Sequence, residues 1–394
     1  MRLVHLADIH LGFRQYQRQT PNGINQREAD VGESLQRVID AVIELKPDLV
    51  LVAGDVFHTV RPTNPAILHG FRQFSRLVQA LPDAKVVMIA GNHDTPRTAE
   101  TGCILRLFTQ LGITVVDGKS NRVSIPELDL MILAVPDMAL DRARLEPDLT
   151  AKYNILLLHG EIEGVLPKYG RELERASMEI TQQELGAEKW DYVALGHYHV
   201  HRRIAENAYY SGSLDYTSTN PWGELTEERE TGIGGKGIIE YDLATKTHRF
   251  HSLPPARPWV DLAPLSGSGL SPIALDEAIR DSLDKCDGGI DQKIVRLVVR
   301  DVPRHILREL DHKALRDYKR RALHFHLDTR EAARPERGQG APGRRASLAD
   351  TVRDKLRSRV LTENINREQL VELGLHYLRE ADALAGPAEE EAST

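Results

Sequence analysis

Short apolar runs, each closed by polar residues or glycine, punctuate the first 255 positions of the chain. Leu3 to Ala7, Leu49 to Ala53, Val86 to Ala90 and Leu130 to Val135 read as buried strands. Between the first two, Leu35, Val38, Ile39 and Val42 recur at helical spacing behind a capping-box pair, Asp30 and Glu33, and Lys46-Pro47 ends that helix. The same spacing predicts helices over about 65–80 and about 100–111. Strands alternating with helices in this way are the pattern of βαβ units around a largely parallel sheet. Ile155 to Leu158 and Tyr192 to Leu195 continue it. The segments near Tyr209 to Gly212, Gly237 to Tyr241 and His248 to Leu253 are β-rich, which implies a second layer of sheet.

The run Pro254-Pro255-Ala256-Arg257-Pro258 is a stiff breaker and divides a first domain, 1–255, from a small α/β domain, 259–328. The latter is expected to hold a helix near Ile273 to Leu283, a strand at Ile294 to Val299, a helix near His305 to Tyr318 and a strand at Ala322 to Leu327. Residues 329–347 lose their large apolar side chains and read as a flexible linker. Beyond it, Leu348, Val352, Leu356 and Val360 repeat every fourth residue. Asn366 and Gln369 then offer a capping box ahead of Leu370, Leu373, Tyr377 and Leu378. Two short amphipathic helices over 348–385 suggest a docking element, or alternatively two further helices packed on the main body. Residues 386–394 form an acidic tail.

Composition narrows the classes. The 394 residues carry 51 Lys plus Arg against 58 Asp plus Glu, a net charge of −7, so any contact with nucleic acid has to come from local patches. The two cysteines, Cys103 and Cys286, offer neither a disulfide framework nor a thiolate zinc site. With no signal peptide and no apolar run long enough to span a bilayer, a cytoplasmic protein without membrane contact is expected. Aromatic residues at 5 % argue against an extensive base-stacking platform.

The informative polar residues sit just past the strands: Asp8-Ile9-His10, Gly54-Asp55-Val56-Phe57-His58, Gly91-Asn92-His93-Asp94, His159 and Gly196-His197-Tyr198-His199. Each alone has an ordinary explanation as a turn or a satisfied polar residue, and Gly54 or Gly196 need only supply a tight turn. Five such clusters in succession favour convergence, because the carboxyl ends of strands in an open α/β sheet line one crevice. Carboxylate, imidazole and amide ligands without thiolate suit divalent ions such as manganese, iron or zinc. Two ions need a bridging carboxylate, for which Asp55 is centrally placed.

In order and completeness these clusters resemble the calcineurin-like metallophosphoesterases. Within that superfamily His5-Leu6-Ala7-Asp8-Ile9-His10-Leu11-Gly12, Gln26-Arg27-Glu28-Ala29-Asp30, Gly54-Asp55-Val56-Phe57-His58 and Tyr210-Ser211-Gly212-Ser213 resemble the SbcD-type nuclease subunit of double-strand-break repair. The resemblance implies a two-layered β-sheet core flanked by helices, with residues 259–328 as a DNA-positioning cap. It implies one metal held by Asp8, His10, Asp55 and His199 and another by Asp55, Asn92, His159 and His197. Manganese is the expected ion, and metal-activated water the nucleophile. His93 would stabilise the transition state or protonate the leaving oxygen, oriented by Asp94, while His58 would position phosphate or DNA. Thr59 and Asp94 depart, with His58, from the protein phosphatases of the superfamily.

The implied activity is a 3′–5′ exonuclease and single-strand endonuclease. Arg14, Arg18, Arg61 and Arg97 follow ligand clusters and could hold DNA phosphates, though each stands equally as a solvated surface charge. The run Lys319-Arg320-Arg321 has the same ambiguity. No GxxxxGK[ST] loop occurs, and Gly234-Gly235-Lys236-Gly237 reads as a turn. Any ATP-driven step would therefore fall to a partner, implied to be an SbcC-type, SMC-like ATPase bound by the C-terminal helices. Leu68, Phe71, Leu105 and Phe108 read by default as ordinary core; helices in this part of the fold pair across a two-fold axis in the resembled family, which implies a homodimer. The alternative is a small-molecule phosphodiesterase or phosphatase of the same superfamily. A non-catalytic scaffold on a decayed fold is disfavoured because no ligand is missing.

Overall fold

In the computed structural model, strand Arg2–Leu6 runs parallel to Leu49–Ala53, which is followed across the sheet by the parallel Lys85–Ile89 and Thr114–Val116. Gly237–Asp242 and Thr247–Ser252 extend the other edge antiparallel, giving six strands. A second six-stranded sheet runs Arg202–Ala205, Ala208–Tyr210, Tyr192–Gly196, Tyr153–His159, Leu130–Val135 and Asn121–Ile125. The described residues are 1–96, 102–137, 145–165, 179–331, 348–358 and 366–385. The tail 386–394, Val360 and positions 332–347 of the expected linker lie outside them.

Burial on both faces explains the unbroken apolar runs. Leu3, Leu49 and Val87 of the first sheet meet Ile132, Ile155 and Tyr192 of the second in one core between the layers. The opposite face of the first sheet packs Val4, Leu6, Val50 and Val52 against Leu35, Val38, Ile39 and Val42 of helix Gln26–Leu45 and Phe74 and Leu77 of helix Asn64–Ala80. The result is the expected two-layered mixed α/β core flanked by helices.

Several boundaries differ from the sequence reading. The first helix starts at Gln26, not behind Asp30, because the Asn25 side chain accepts from the backbone N–H groups of Arg27 and Glu28 and so caps it earlier. Asp30 is buried one turn inside. The third helix is a 3₁₀ helix, Ile104–Leu111, while residues 97–101 lie outside the described residues. The helix expected over His305 to Tyr318 is two, Arg304–Arg308 and His312–Arg321, since Asp311 accepts from Lys313 and Ala314 N–H and starts a new helix. Strand His324–Arg330 runs into the stretch assigned to the linker. That strand joins Ile294–Arg300, Trp259–Asp261 and Leu265–Ser266 in a third sheet, covered by helix Pro272–Asp284 over its own apolar core.

The proline-rich breaker is pinned to the first helix. Arg257 donates to both carboxylate oxygens of Asp30 at 2.8 and 2.9 Å and to the Gln292 carbonyl at 2.7 Å. Tyr16 stacks on His324 at 3.8 Å between ring centroids, tying the loop after His10 to the third sheet. The described residues of 332–394 form a separate unit, helices Leu348–Ser358 and Arg367–Ala385. Gly374 lets them approach, because a Cβ there would lie 2.5 Å from Leu356 Cδ1. Leu348, Leu373 and Tyr377 remain exposed.

Between the layers, His5 is fully buried with Nδ1 3.1 Å from the Tyr192 hydroxyl and Nε2 without a partner. Burial, with His201 nearby, drives its pKa from 6.5 down to about 3. The unfolded chain therefore binds a proton that the folded chain refuses. The contribution of His5 to the stability of the metal-free protein should be flat above pH 6.5 and fall as pH drops from there towards about 3. Urea midpoints measured across that window in chelator should slope less in a His5→Asn variant, whatever its absolute stability.

Candidate metal centre

The carboxyl ends of the central strands of both sheets meet at one rim. Asp8 N–H donates to the Gly54 carbonyl at 3.0 Å and His10 N–H to the Asp55 carbonyl at 2.9 Å, so the first two ligand loops run side by side. The second sheet docks onto them: His197 N–H donates to both Asp8 carboxylate oxygens at 3.0 Å, and His159 Nδ1–H donates to the Ala53 carbonyl at 2.8 Å. Asp8, His10, Asp55 and His197 all hold positive φ, at 52°, 53°, 51° and 104°. Such backbone strain at non-glycine residues gathers where side chains are aimed for function.

Close approach, more than turning, explains two of the glycines. A Cβ on Gly91 would lie 2.1 Å from Asp55 Oδ1, and one on Gly196 would lie 1.8 Å from the Ala53 carbonyl oxygen. Both positions need glycine for the loops to close on one another.

Three groups of donors result among the described residues, Asp8 with His10 and His199, Asp55 with His159 and His197, and His10 with His58 and His93, each with its ligand atoms within 4.8 Å. Asn92 Oδ1 lies 3.0 Å from His159 Nε2 and 3.3 Å from His197 Nδ1. Because His159 Nδ1 carries the proton, its Nε2 and Asn92 Oδ1 are two acceptors turned on each other, an arrangement that a shared cation resolves. Charge leads to the same conclusion. Burial, then the neighbouring Asp55, pushes the Asp8 carboxyl well above the usual range. Burial also opposes the charge on Asp55, but His159 and His93 outweigh it and hold that carboxyl below its ordinary value. Burial, with His199 and His93, keeps His10 neutral. Buried carboxylates among imidazoles are the donor set of a divalent cation.

His93 stands beside this set. Its Nδ1–H donates to the His58 carbonyl at 2.8 Å, and its backbone N–H donates to Asp55 Oδ1 at 2.9 Å. Asp94 does not orient it, contrary to expectation: the Asp94 carboxylate accepts from the backbone N–H groups of Val56, Phe57 and Gly91 and locks the second and third ligand loops together. His58 stacks on His93 at 5.1 Å and places Nδ1 3.3 Å from His10 Nδ1. Burial and His93 lower its pKa to about 4, so it is neutral at pH 7.

The basic candidates separate. Arg14, though exposed, pairs with the buried Glu28 at 2.7 Å, and Arg18 donates to the Arg320 and Ala322 carbonyls at the end of helix His312–Arg321. Both therefore brace the loop after His10. Arg61 is exposed, and Arg97 lies outside the described residues. Arg320 and Arg321 pair with Asp317 and Asp291.

Three residues escaped the sequence reading. Glu161 Oε1 lies 3.2 Å from His197 Nε2, which turns Nδ1 towards Asn92. Glu224 Oε1 lies 3.5 Å from His199 Nδ1 and is ion-paired with the buried Lys236. Burial opposes the Glu224 charge, yet Lys236 and His199 hold its pKa at about 2. Lys236, read as part of a turn, also donates to the His199 carbonyl at 2.8 Å and pairs with Glu228 at 3.0 Å. Glu161 stood two residues past His159; Lys236 gave no signal beyond a charge among glycines.

The model of the calcineurin-like phosphoesterase family matches residues 1–201. The DNA double-strand break repair protein Mre11 of Methanocaldococcus jannaschii is 28 % identical over 258 residues, 62 % of this chain and 63 % of its own length. The protein of the same name from Methanococcus maripaludis is 27 % identical over 255 residues, covering 62 % and 63 %. That of Sulfolobus acidocaldarius is 28 % identical over 210 residues, covering 52 % and 50 %. The chain thus spans less than two thirds of the length of these relatives.

Proposed function

The chain belongs to the calcineurin-like phosphoesterases, and from that membership we propose that it is a two-metal DNA nuclease of double-strand-break repair. The observation that carries the reading is the convergence of all seven expected ligands, Asp8, His10, Asp55, Asn92, His159, His197 and His199, from the strand ends of two sheets. The names of the relatives supply the substrate, DNA, and the pathway.

Asp8, His10 and His199 would hold one cation, Asn92, His159 and His197 the other, with Asp55 between them. Such a pair of divalent ions supplies Lewis-acid stabilisation of the phosphoryl oxygens and a lowered water pKa. Manganese is the ion we propose. The chain's own residues do the rest. Ala53 and Glu161 fix the rings of His159 and His197, and Glu224 faces that of His199. With Nδ1–H committed to the His58 carbonyl, His93 Nε2 would donate to a phosphate or leaving-group oxygen once it carries a second proton. His58, neutral and stacked on His93, would position the phosphodiester.

The finer reading follows the resemblance: 3′–5′ exonuclease and single-strand endonuclease activity, a cap formed by residues 259–328, and an SMC-like ATPase bound through 348–385. Leu68, 64 % exposed on helix Asn64–Ala80, supports a homodimer through that helix, whereas Leu105 and Phe108 are core. A cytoplasmic location completes it.

The test is manganese-dependent degradation of linear duplex and single-stranded DNA, compared with turnover of cyclic nucleotides. DNA should be consumed and cyclic nucleotides spared, and Asp55→Ala should remove the activity together with metal binding. Cyclic nucleotides turned over with DNA left intact would overturn the nuclease reading in favour of a small-molecule phosphodiesterase.

A further inference from the structure

Lys236 is only 2 % exposed, and a lysine is almost never buried so far without a specific set of partners. Its Nζ donates to the His199 carbonyl at 2.8 Å, pairs with Glu224 and, at 3.0 Å, with Glu228, and lies 4.4 Å from the centroid of the Tyr216 ring. Burial opposes its charge, but Glu224 and Glu228 outweigh burial and raise its pKa, so the ammonium stays protonated. One buried cation thus holds the main chain of a residue that also offers its ring to the metal centre.

Glu224 carries that hold on to the ring. Helix Pro221–Glu230 sets Glu224 and Glu228 one turn apart, so both reach Lys236. Glu224 accepts from the Ser218 hydroxyl, presents Oε2 to Lys236 and places Oε1 3.5 Å from His199 Nδ1. The other ring nitrogen, His199 Nε2, lies 3.1 Å from His10 Nε2 and is therefore the one turned to the metal centre. A carboxylate behind an imidazole in this way fixes the ring and raises its basicity as a ligand.

The reach of Lys236 stops at one half of the centre. It leads into strand Gly237–Asp242, which pairs antiparallel with Arg2–Leu6, the strand that ends before Asp8. Its charge is accordingly felt at Asp8, where burial and Asp55 raise the carboxyl pKa and Lys236 opposes them. Asp8 and His199 fall in one donor group with His10. The rings of the other half are held from elsewhere, His159 by the Ala53 carbonyl at 2.8 Å and His197 by Glu161 at 3.2 Å.

We infer that Lys236 and Glu224 are positioning residues for one metal position alone, that of Asp8, His10 and His199, and that Glu161 serves the other, so that the two affinities are set by different residues. This deepens the two-metal reading and rests on it.

Titration calorimetry of the full chain with manganese chloride tests it. The parent should take up two ions. Glu224→Gln keeps the shape of the side chain and leaves Lys236 paired with Glu228; it should weaken one ion about 10- to 100-fold and leave the other at its parental affinity. Glu161→Gln should weaken the second ion instead, and the double variant both. Lys236→Met alone strands two buried carboxylates, so it is combined with Glu228→Gln, and that pair of changes should reproduce the effect of Glu224→Gln. Electron paramagnetic resonance at manganese concentrations that just saturate the parent gives an independent signature, a spin-coupled pair in the parent and an isolated ion in Glu224→Gln. A general loosening of the rim would weaken both ions together. That result, or parental affinity at both positions in Glu224→Gln, would overturn the assignment while leaving the two-metal reading. A parent that binds no manganese would remove the two-metal reading and the assignment with it. The expected pattern in a protein that leaves DNA uncut would keep the assignment and remove the nuclease.

Discussion

A His93→Gln variant should cleave DNA about 10²- to 10⁴-fold more slowly at saturating substrate while binding manganese as the parent does. The separation follows from which atoms of His93 do what. Its support of the metal centre runs through the backbone, N–H to Asp55 Oδ1 at 2.9 Å, and survives any side-chain change. Its contribution to chemistry runs through Nε2, the nitrogen left over once Nδ1–H is held by the His58 carbonyl. That carbonyl is also backbone, so His58→Ala should leave His93 in place and act mainly on KM. A loss confined to kcat marks an interaction made only in the transition state. Full activity in His93→Gln, or manganese affinity falling in step with kcat, would remove His93 from the chemistry.

The residues that converge at the candidate metal centre were legible because each follows a strand whose apolar run is itself visible, and strand ends in such folds converge. What surrounds the ligands was not, since those residues are tied to the site by contacts across the fold. Glu224 and Lys236 are meaningful only once folding has buried them under His199. Asp94 shows the opposite failure. Its position next to His93 suggested an orienting carboxylate, yet the tight turn at Gly91 points it back at three backbone N–H groups. The pair Asp30 and Glu33 satisfied a capping pattern, but Asn25 caps earlier and Asp30 is needed as an acceptor for Arg257. Arg14 and Arg18 looked free because their partners, Glu28 and the carbonyls at the end of helix His312–Arg321, are set by folding and not by the neighbouring sequence.

Arg27→Ala should lower the unfolding free energy by about 3–5 kcal/mol, the cost of removing one partner from a buried ion pair. Arg27 is wholly buried, with Nη2 2.7 Å from Asp215 and 3.1 Å from the Tyr216 carbonyl, and Nη1 3.4 Å from Asp30. Its guanidinium lies between Phe13 at 5.9 Å and Trp259 at 5.4 Å. One side chain therefore joins the first helix, the turn that follows His197 and His199, and the start of the third sheet. Without it, Asp215 keeps, among the described residues, the Ser34 hydroxyl at 2.9 Å and the Tyr216 N–H at 2.8 Å against its buried charge. Replacing both partners by apolar residues, Arg27→Met with Asp215→Leu, should recover much of the loss, since no charge is then stranded. Asp30 would still hold Arg257, so the breaker should stay pinned while the Asp215 turn loosens. Hydrogen exchange in Arg27→Ala should accordingly rise around residues 213–217 before it rises around 254–258. Denaturant midpoints for the single and double variants measure the energies. A single variant as stable as the parent would mean that Asp215 is neutralised by some other group.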